Sequence, residues 1–330
     1  MDEKVAGMLA AYDCDVYRAN RVKGAWLLET ESGLKLFGSC PLSEAKIRFE
    51  QKIKLHGKEH GFRAVDSYVP TKEGTYLVTG PYGETFAMRD WFWGEECDVQ
   101  NPEQVFMTAE VLAKLHQSLV GVELAEEEKA FCVQTEVTEL LEKRNRELRR
   151  VRTYIRDKKQ KNYFEQKFLS QFGQQYQQAE QATALLDARA YGDMYRQALA
   201  DGCVVHGNFT HHSVLFDGTE VAVTGFQKAA FGIQVQDFYL LYRKMMEKWD
   251  WDAELGKRLL DAYESTKEFS PEEKELLIVL LSYPEKFWKV ANQYYNNRKS
   301  WIPEKNMQKL LQTLEQADKK EENILRVFGK

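Results

Sequence analysis

The chain has 330 residues, 43% of them hydrophobic and 12% aromatic, and a formal net charge of -5. This suits one two-lobed domain or two modest ones with a sizeable core, and so mild a charge says little about partners. Apolar stretches such as residues 276–281 fall far short of the roughly 20 residues a membrane span needs. The start, Met1-Asp2-Glu3-Lys4, lacks the apolar core of an export signal. The five cysteines (Cys14, Cys40, Cys97, Cys132 and Cys203) are scattered, odd in number and without a Cys-x-x-Cys pair. They are expected to be reduced thiols in a cytoplasmic protein.

Residues 24–30 and 33–37 alternate around a short Glu31-Ser32 turn and predict a hairpin. Ser43 is placed as the N-cap of a helix to about His60, with Ala45, Phe49 and Ile53 recurring at four-residue intervals. Residues 75–79 and 85–88 are strand candidates on either side of Gly80-Pro81-Tyr82-Gly83. The aromatic run Asp90-Trp91-Phe92-Trp93-Gly94 suits a crossover between lobes and equally suits ordinary core packing.

From Pro102 the chain turns helical. Val105, Ala109, Leu112, His116 and Leu119 form an apolar stripe, on which His116 is expected to be a satisfied core histidine. Residues 143–161 carry ten Lys or Arg against Glu147 and Asp157, with Leu140, Leu141, Leu148, Val151 and Ile155 as an apolar edge. The pattern predicts a helix with a solvated basic face. Arg149, Arg150 and Arg152 on it are candidate partner-binding residues for an acidic surface. No aromatic interleaving or nucleic-acid motif accompanies them, so nucleic acid is not expected as a partner. Further on, Val235, Phe238, Tyr242, Met245 and Trp249 predict a core-facing helix. Ser270-Pro271-Glu272-Glu273 is a helix start, and Pro303 opens a last helix towards Phe328.

The centre of the chain is His206-Gly207-Asn208-Phe209-Thr210-His211-His212-Ser213, followed by two apolar runs, 214–216 and 221–223, around Asp217-Gly218. This reads as a hairpin whose flanking loops meet at one end. Kinase-like phosphotransferases place a catalytic loop and a metal-binding loop in this way. The first has the form His-Gly-Asp with Asn five residues on; the second has Asp-Phe-Asp or Asp-Phe-Gly. Here the spacing is kept, but Asn208 stands in the place of the base, Ser213 in the place of the Asn and Gly225 in the place of the metal-binding Asp. An amide cannot accept a substrate proton near neutral pH. A lost general base typically costs about 10²–10⁴ in rate. Magnesium needs hard oxygen ligands, which Gly225 cannot offer. His206, Gly207 and Phe226 match the pattern, and Asp237 is expected to support the loops through backbone hydrogen bonds.

The order strand, strand, helix, strand, strand, then helices, predicts an α+β, two-lobed protein-kinase-like fold. Residues 1–93 form a small β-rich lobe, and residues 94–330 a larger, mostly helical one. The small lobe lacks a Gly-rich phosphate loop. Gly38 occupies the slot where a phosphate-reaching lysine is expected, and Lys35 lies nearby, expected to face solvent. Glu50, on the next helix, is expected to be a solvated residue. Gly38 and Trp91 are the candidate positions beside any bound nucleotide.

The chain resembles the CotS-type spore coat proteins of the aminoglycoside-phosphotransferase/choline-kinase branch. The resemblance rests on Gly24-Ala25-Trp26-Leu27-Leu28, Asp90-Trp91 with Gly94-Glu95-Glu96-Cys97-Asp98, and Leu112-Ala113-Lys114-Leu115-His116. It continues through the His206 stretch and Arg243-Lys244-Met245-Met246-Glu247-Lys248 to residues 291–303, from Ala291-Asn292-Gln293-Tyr294 to Trp301-Ile302-Pro303. It implies the kinase-like fold, synthesis in the mother-cell cytoplasm, deposition in the spore coat, and other coat proteins as partners. The reading of function is a catalytically inactive pseudokinase that acts as a binding or assembly protein, with no cofactor. The alternative is an ATP-dependent phosphotransferase of unusual mechanism, using ATP and magnesium on a small molecule or a coat protein.

Overall fold

The computed structural model describes residues 3–132, 136–296 and 303–329. Residues 297–302, part of the segment most specific to the resemblance, lie outside the described residues. The chain forms two compact units, Met1–Cys132 with Leu199–Asp237, and Val133–Ala198 with Phe238–Lys330.

In the first unit, helix α1 (Glu3–Leu9) precedes strands β1 (Val16–Val22), β2 (Ala25–Thr30) and β3 (Gly33–Ser39). Helix α2 (Glu44–Glu59) follows, then β4 (Leu77–Thr79) and β5 (Thr85–Asp90). The five strands make an antiparallel sheet in the order β1-β2-β3-β5-β4. The predicted hairpin is β2–β3, and Ser43 does cap α2, its side chain accepting from Lys46 N at 3.2 Å. Strand β1 and helix α1 go beyond the sequence expectation. Five of the seven residues of β1 are exposed and the two partly buried ones, Val16 and Ala19, stand three apart, so the alternation that marks a half-buried strand is missing there. One sheet face closes over Leu28, Phe37 and Met88 with Leu9 and Tyr12. Phe37 stacks on Phe86 at 5.5 Å.

Strand β6 (Glu95–Glu96) leads into helix α3 (Pro102–Ser118), capped by Asn101 with Pro102 in its first turn. The whole predicted stripe of α3, His116 included, is buried.

The second unit opens with α4 (Val137–Arg156) and α5 (Tyr163–Leu185), and α6 (Ala188–Ala200) returns the chain to the first. There β7 (Val204–Val205), β8 (Val214–Asp217), β9 (Glu220–Val223) and β10 (Ala230–Phe231) follow. β8 and β9 are the predicted hairpin, Asp217 pairing with Glu220 across the turn. Helix α7 (Val235–Met246) carries the chain back to the second unit. There α8 (Ala253–Glu264), α9 (Pro271–Ser282), α10 (Glu285–Asn296), α11 (Pro303–Glu315) and α12 (Ala317–Phe328) complete the chain.

The basic segment is α4 to Arg156, with Leu141, Leu148, Val151 and Ile155 buried as expected. Ser270 and Glu273 form the predicted capping box of α9. The single last helix expected from Pro303 is instead two. The break falls at Gln316, which is buried and donates its side-chain amide to Glu247 O at 3.3 Å. No helix among the described residues is long and apolar enough to cross a membrane. All five cysteines are described, and none is in a disulfide.

Candidate functional site

The frame of the central loops is built from buried groups of the first unit. Gly207 has a φ of 76°, and a Cβ on it would lie 2.1 Å from Lys228 O, so only glycine fits. The Asp237 carboxylate, 2% exposed, takes the backbone amides of His206 (2.6 Å) and Gly207 (2.8 Å), the role expected of it. Its Oδ2 also accepts from His116 Nε2 at 3.3 Å, so His116 is the satisfied core histidine expected from the stripe.

His206 Nε2 lies 3.0 Å from Thr224 O, and its Nδ1 accepts from Asn208 N at 3.3 Å. One nitrogen faces an acceptor and the other a donor, which assigns the neutral Nε2–H tautomer. Burial pushes the His206 pKa down, against the pull of Asp237, and favours the same neutral form. The ring packs against Phe226 at 4.8 Å and Phe209 at 5.5 Å.

The positions expected to do chemistry are set differently. Asn208 is exposed. Ser213 is buried, and its hydroxyl donates to Asn208 O at 3.2 Å. Gly225 adopts a left-handed backbone, φ 89°, and donates its amide to Asp66 Oδ2 at 3.3 Å.

Asp66 leads to residues the sequence reading missed. It is fully buried, as is Lys54 of α2. Lys54 Nζ donates to Asp66 O at 2.8 Å and makes an ion-pair contact with Oδ1 at 3.1 Å. Arg89 Nη1 donates to Asp66 Oδ2 at 3.1 Å. In the amide orientation that satisfies its neighbours, Gln227 accepts from Arg89 Nη1 at 2.8 Å and donates to Gly225 O at 3.0 Å. Lys54 Nζ also sits 4.3 Å from the Tyr68 ring centroid and 5.4 Å from that of Phe226. Burial lowers the Lys54 pKa, and the Asp66 carboxylate opposes that shift.

Two expectations are corrected here. Glu50 is not solvated but fully buried, accepting from the Tyr68 hydroxyl at 2.8 Å, and burial raises its pKa. Lys35 does not face solvent. It is buried, donating to Asp90 Oδ1 at 2.8 Å and Ser32 O at 3.0 Å. Lys35 pairs with Asp90 across β3–β5, whereas the neighbouring Leu36 pairs with Arg89. Side chains alternate along a strand, so Lys35 lies on the opposite sheet face from Arg89. Gly38 shares the face of Leu36, and a Cβ on it would lie 3.0 Å from Ala25 Cβ.

The loop positions His206, Asn208, Ser213 and Gly225 therefore come together. Trp91 is linked to them only through Arg89, whose guanidinium is 5.9 Å from its ring. Arg149, Arg150 and Arg152 belong to the other unit, exposed on α4. Arg149 donates to the Tyr176 hydroxyl at 3.0 Å, and Arg152 lies over the Phe172 ring at 5.0 Å. The signal for Lys54 was its spacing. Ile47, Glu50 and Lys54 stand at i, i+3 and i+7 and share the buried face of α2.

Solved structures share this architecture. An aminoglycoside phosphotransferase from Alicyclobacillus acidocaldarius superposes with a TM-score of 0.85 at 19% identity, over 98% of this chain and 94% of that one. A spectinomycin phosphotransferase reaches 0.66 at 12% identity, over 97% and 98%. A choline/ethanolamine kinase family protein from Mesorhizobium loti reaches 0.51 at 12%, over 97% and 95%. The fold is thus the two-lobed aminoglycoside-phosphotransferase-like kinase fold expected from the sequence. Among curated proteins, spore coat protein S of Bacillus subtilis (strain 168) is 22% identical over 282 residues, 85% of this chain and 80% of that protein. The family described as "Spore coat putative kinase YutH" matches residues 12–328, and the chain belongs to it.

Proposed function

We propose that this kinase-fold protein of the spore coat acts by binding, as an assembly or regulatory pseudokinase, and transfers no phosphate. The observation that carries the reading is Gly225. At the metal-loop position it offers a backbone amide to Asp66 instead of a carboxylate to a metal. Asp66 does not fill the gap, because Lys54 and Arg89 already neutralise it. Ser213 spends its hydroxyl on Asn208 O. Among the described residues no three His, Cys, Asp or Glu side chains converge. Such a donor set does not fit magnesium, which takes hard oxygen ligands and bridges the phosphates of a nucleotide. Asn208 is no base. His206, Asp237 and Phe226 keep the loops in place without those chemical groups.

The setting follows from the family and from the coat protein it resembles. Other coat proteins are the expected partners, and the mother cell is the expected site of synthesis. The test is a thermal-shift titration of the full chain with ATP, with and without magnesium. A ligand at 100 times its Kd adds about 2.7 kcal/mol of stability. The expected result is no magnesium-dependent shift. A shift that requires magnesium would overturn the reading and favour the phosphotransferase alternative.

A further inference from the structure

The second unit contains a cavity of about 300 Å³ that the reading above does not use. It lies among α5, the end of α7, the α9–α10 junction and α11–α12, with Trp251 and Ile324 as apolar walls. Gln181, Leu185 and Glu321, all exposed, stand at its mouth. The size is at the small end of ligand sites, which combine apolar walls with a few placed polar groups.

Its charged lining is balanced, and the surplus of cations lies around it, in Arg144 and Lys289 on Glu285 and in Lys244 near Arg243. Arg243, Lys286 and Lys320 line it against Glu247, Glu285 and Glu321. Glu247 is held by Arg243 and by Lys286, the latter at 2.7 Å. Glu285 is held by Arg144 at 2.5 Å and Lys289 at 3.1 Å. Glu321 accepts from Gln178 at the mouth. Lys244 is a further cation that senses Arg243, Lys286 and Glu247, while Glu147 is engaged with Trp288 Nε1 at 2.7 Å.

Arg243 is 4% exposed, lines the cavity, and its buried Nε has no hydrogen-bond partner. A buried donor left unmade costs about 1–3 kcal/mol, and more when it is charged. Lys320 Nζ reaches the same space, donating to Tyr283 O at 2.9 Å and Ser282 O at 3.3 Å, with the Trp251 ring 5.7 Å away. Burial and then Arg243 hold the Lys320 pKa down at about 8. The same two causes, in the same order, lower Lys244 and Lys289. Burial leads in all three, and Arg243 is the cation each of these lysines on three helices senses most, against the opposing pull of Glu247.

We infer that this cavity is a binding site for a small organic anion, its charged head on Arg243 and Lys320 and its apolar body against Trp251 and Ile324. A carboxylate and a phosphate monoester share the required chemistry. The inference does not depend on the state of the kinase-like site.

The experiment is a thermal-shift and calorimetric titration of the full chain with benzoate, phenyl phosphate and, as the neutral analogue, benzamide. A saturable rise in Tm with benzoate or phenyl phosphate but not benzamide is expected, and which of the two binds tighter identifies the head group. Lys320→Met should weaken that binding at least tenfold, and Lys286→Gln, on the partly exposed wall, serves if the first variant does not fold. No shift with either anion, an equal shift with benzamide, or unchanged binding in the variants would overturn the inference.

Discussion

The first unit buries two aspartates a short distance apart in its loop system, and they are satisfied by opposite means. Asp237 receives neutral donors: two backbone amides and a histidine. Asp66 receives two cations, Lys54 and Arg89, and a single amide. The first arrangement shapes a loop and stays at its N-terminal side of α7. The second is an internal charge cluster, in which carboxylate and cations compensate each other inside the protein. The difference separates keeping a loop in place from keeping it chemically equipped.

The comparison breaks most visibly at Asp66. Asp66→Ala would leave Lys54 buried without its counter-charge, and should cost about 3–5 kcal/mol by urea unfolding at neutral pH. A cost below about 1 kcal/mol would mean that Lys54 is uncharged in the fold or is compensated by Glu50. Asp237→Asn keeps the shape but weakens three charge-assisted hydrogen bonds, and should cost about 1.5–3 kcal/mol. If it proves as costly as Asp66→Ala, the distinction between the two aspartates fails.

A smaller effect comes from His206. Its pKa is lowered in the fold by burial. Below about pH 6.5 the unfolded chain binds a proton that the folded chain refuses. Stability contributed by the neutral ring is therefore complete above that pH and lost as pH falls, at up to about 1.4 kcal/mol per unit. Unfolding midpoints at pH 7.5, 6.0 and 5.0 should show a slope that His206→Gln reduces. The smallest change is Gly225→Asp. Its left-handed backbone should cost about 1 kcal/mol, although a new Cβ meets nothing nearer than the Gln227 side-chain amide at 3.7 Å. A magnesium-dependent ATP shift in that variant would show that the metal position can be refilled on this frame.

Local rules made much of the fold legible. Ser43, Pro102 and Ser270–Pro271 announce helix starts because caps and first-turn prolines act within one turn, and the β8–β9 hairpin announces itself through alternation around a turn. The loop frame was legible too, because the spacing from His206 through Ser213 to Gly225 and Asp237 is fixed along the chain. The charge cluster was not. Lys54, Asp66 and Arg89 come from a helix, a loop and a strand, and their partnership exists only after the sheet has formed. Glu50 and Lys35 misled for the same reason, since a charged residue looks solvated until a distant partner is known. Strand β1 went unseen because its residues show no two-residue burial pattern, and the break at Gln316 because it depends on the carbonyl of Glu247, distant in sequence.

The close fit of Gly38 against Ala25 has a consequence for how this chain could change. A lysine introduced at position 38 by one substitution would start from a Cβ 3.0 Å from that of Ala25, a contact tight enough that the neighbouring strand must shift by a few tenths of an ångström. Shrinking Ala25 to glycine would clear the space, but beside Gly24 at the start of β2 it adds backbone freedom that folding must remove. A lysine at position 38 of β3 is therefore reached through a less stable intermediate whichever residue changes first. The strand pair works as a one-way latch in sequence space, easier to leave closed by drift than to reopen.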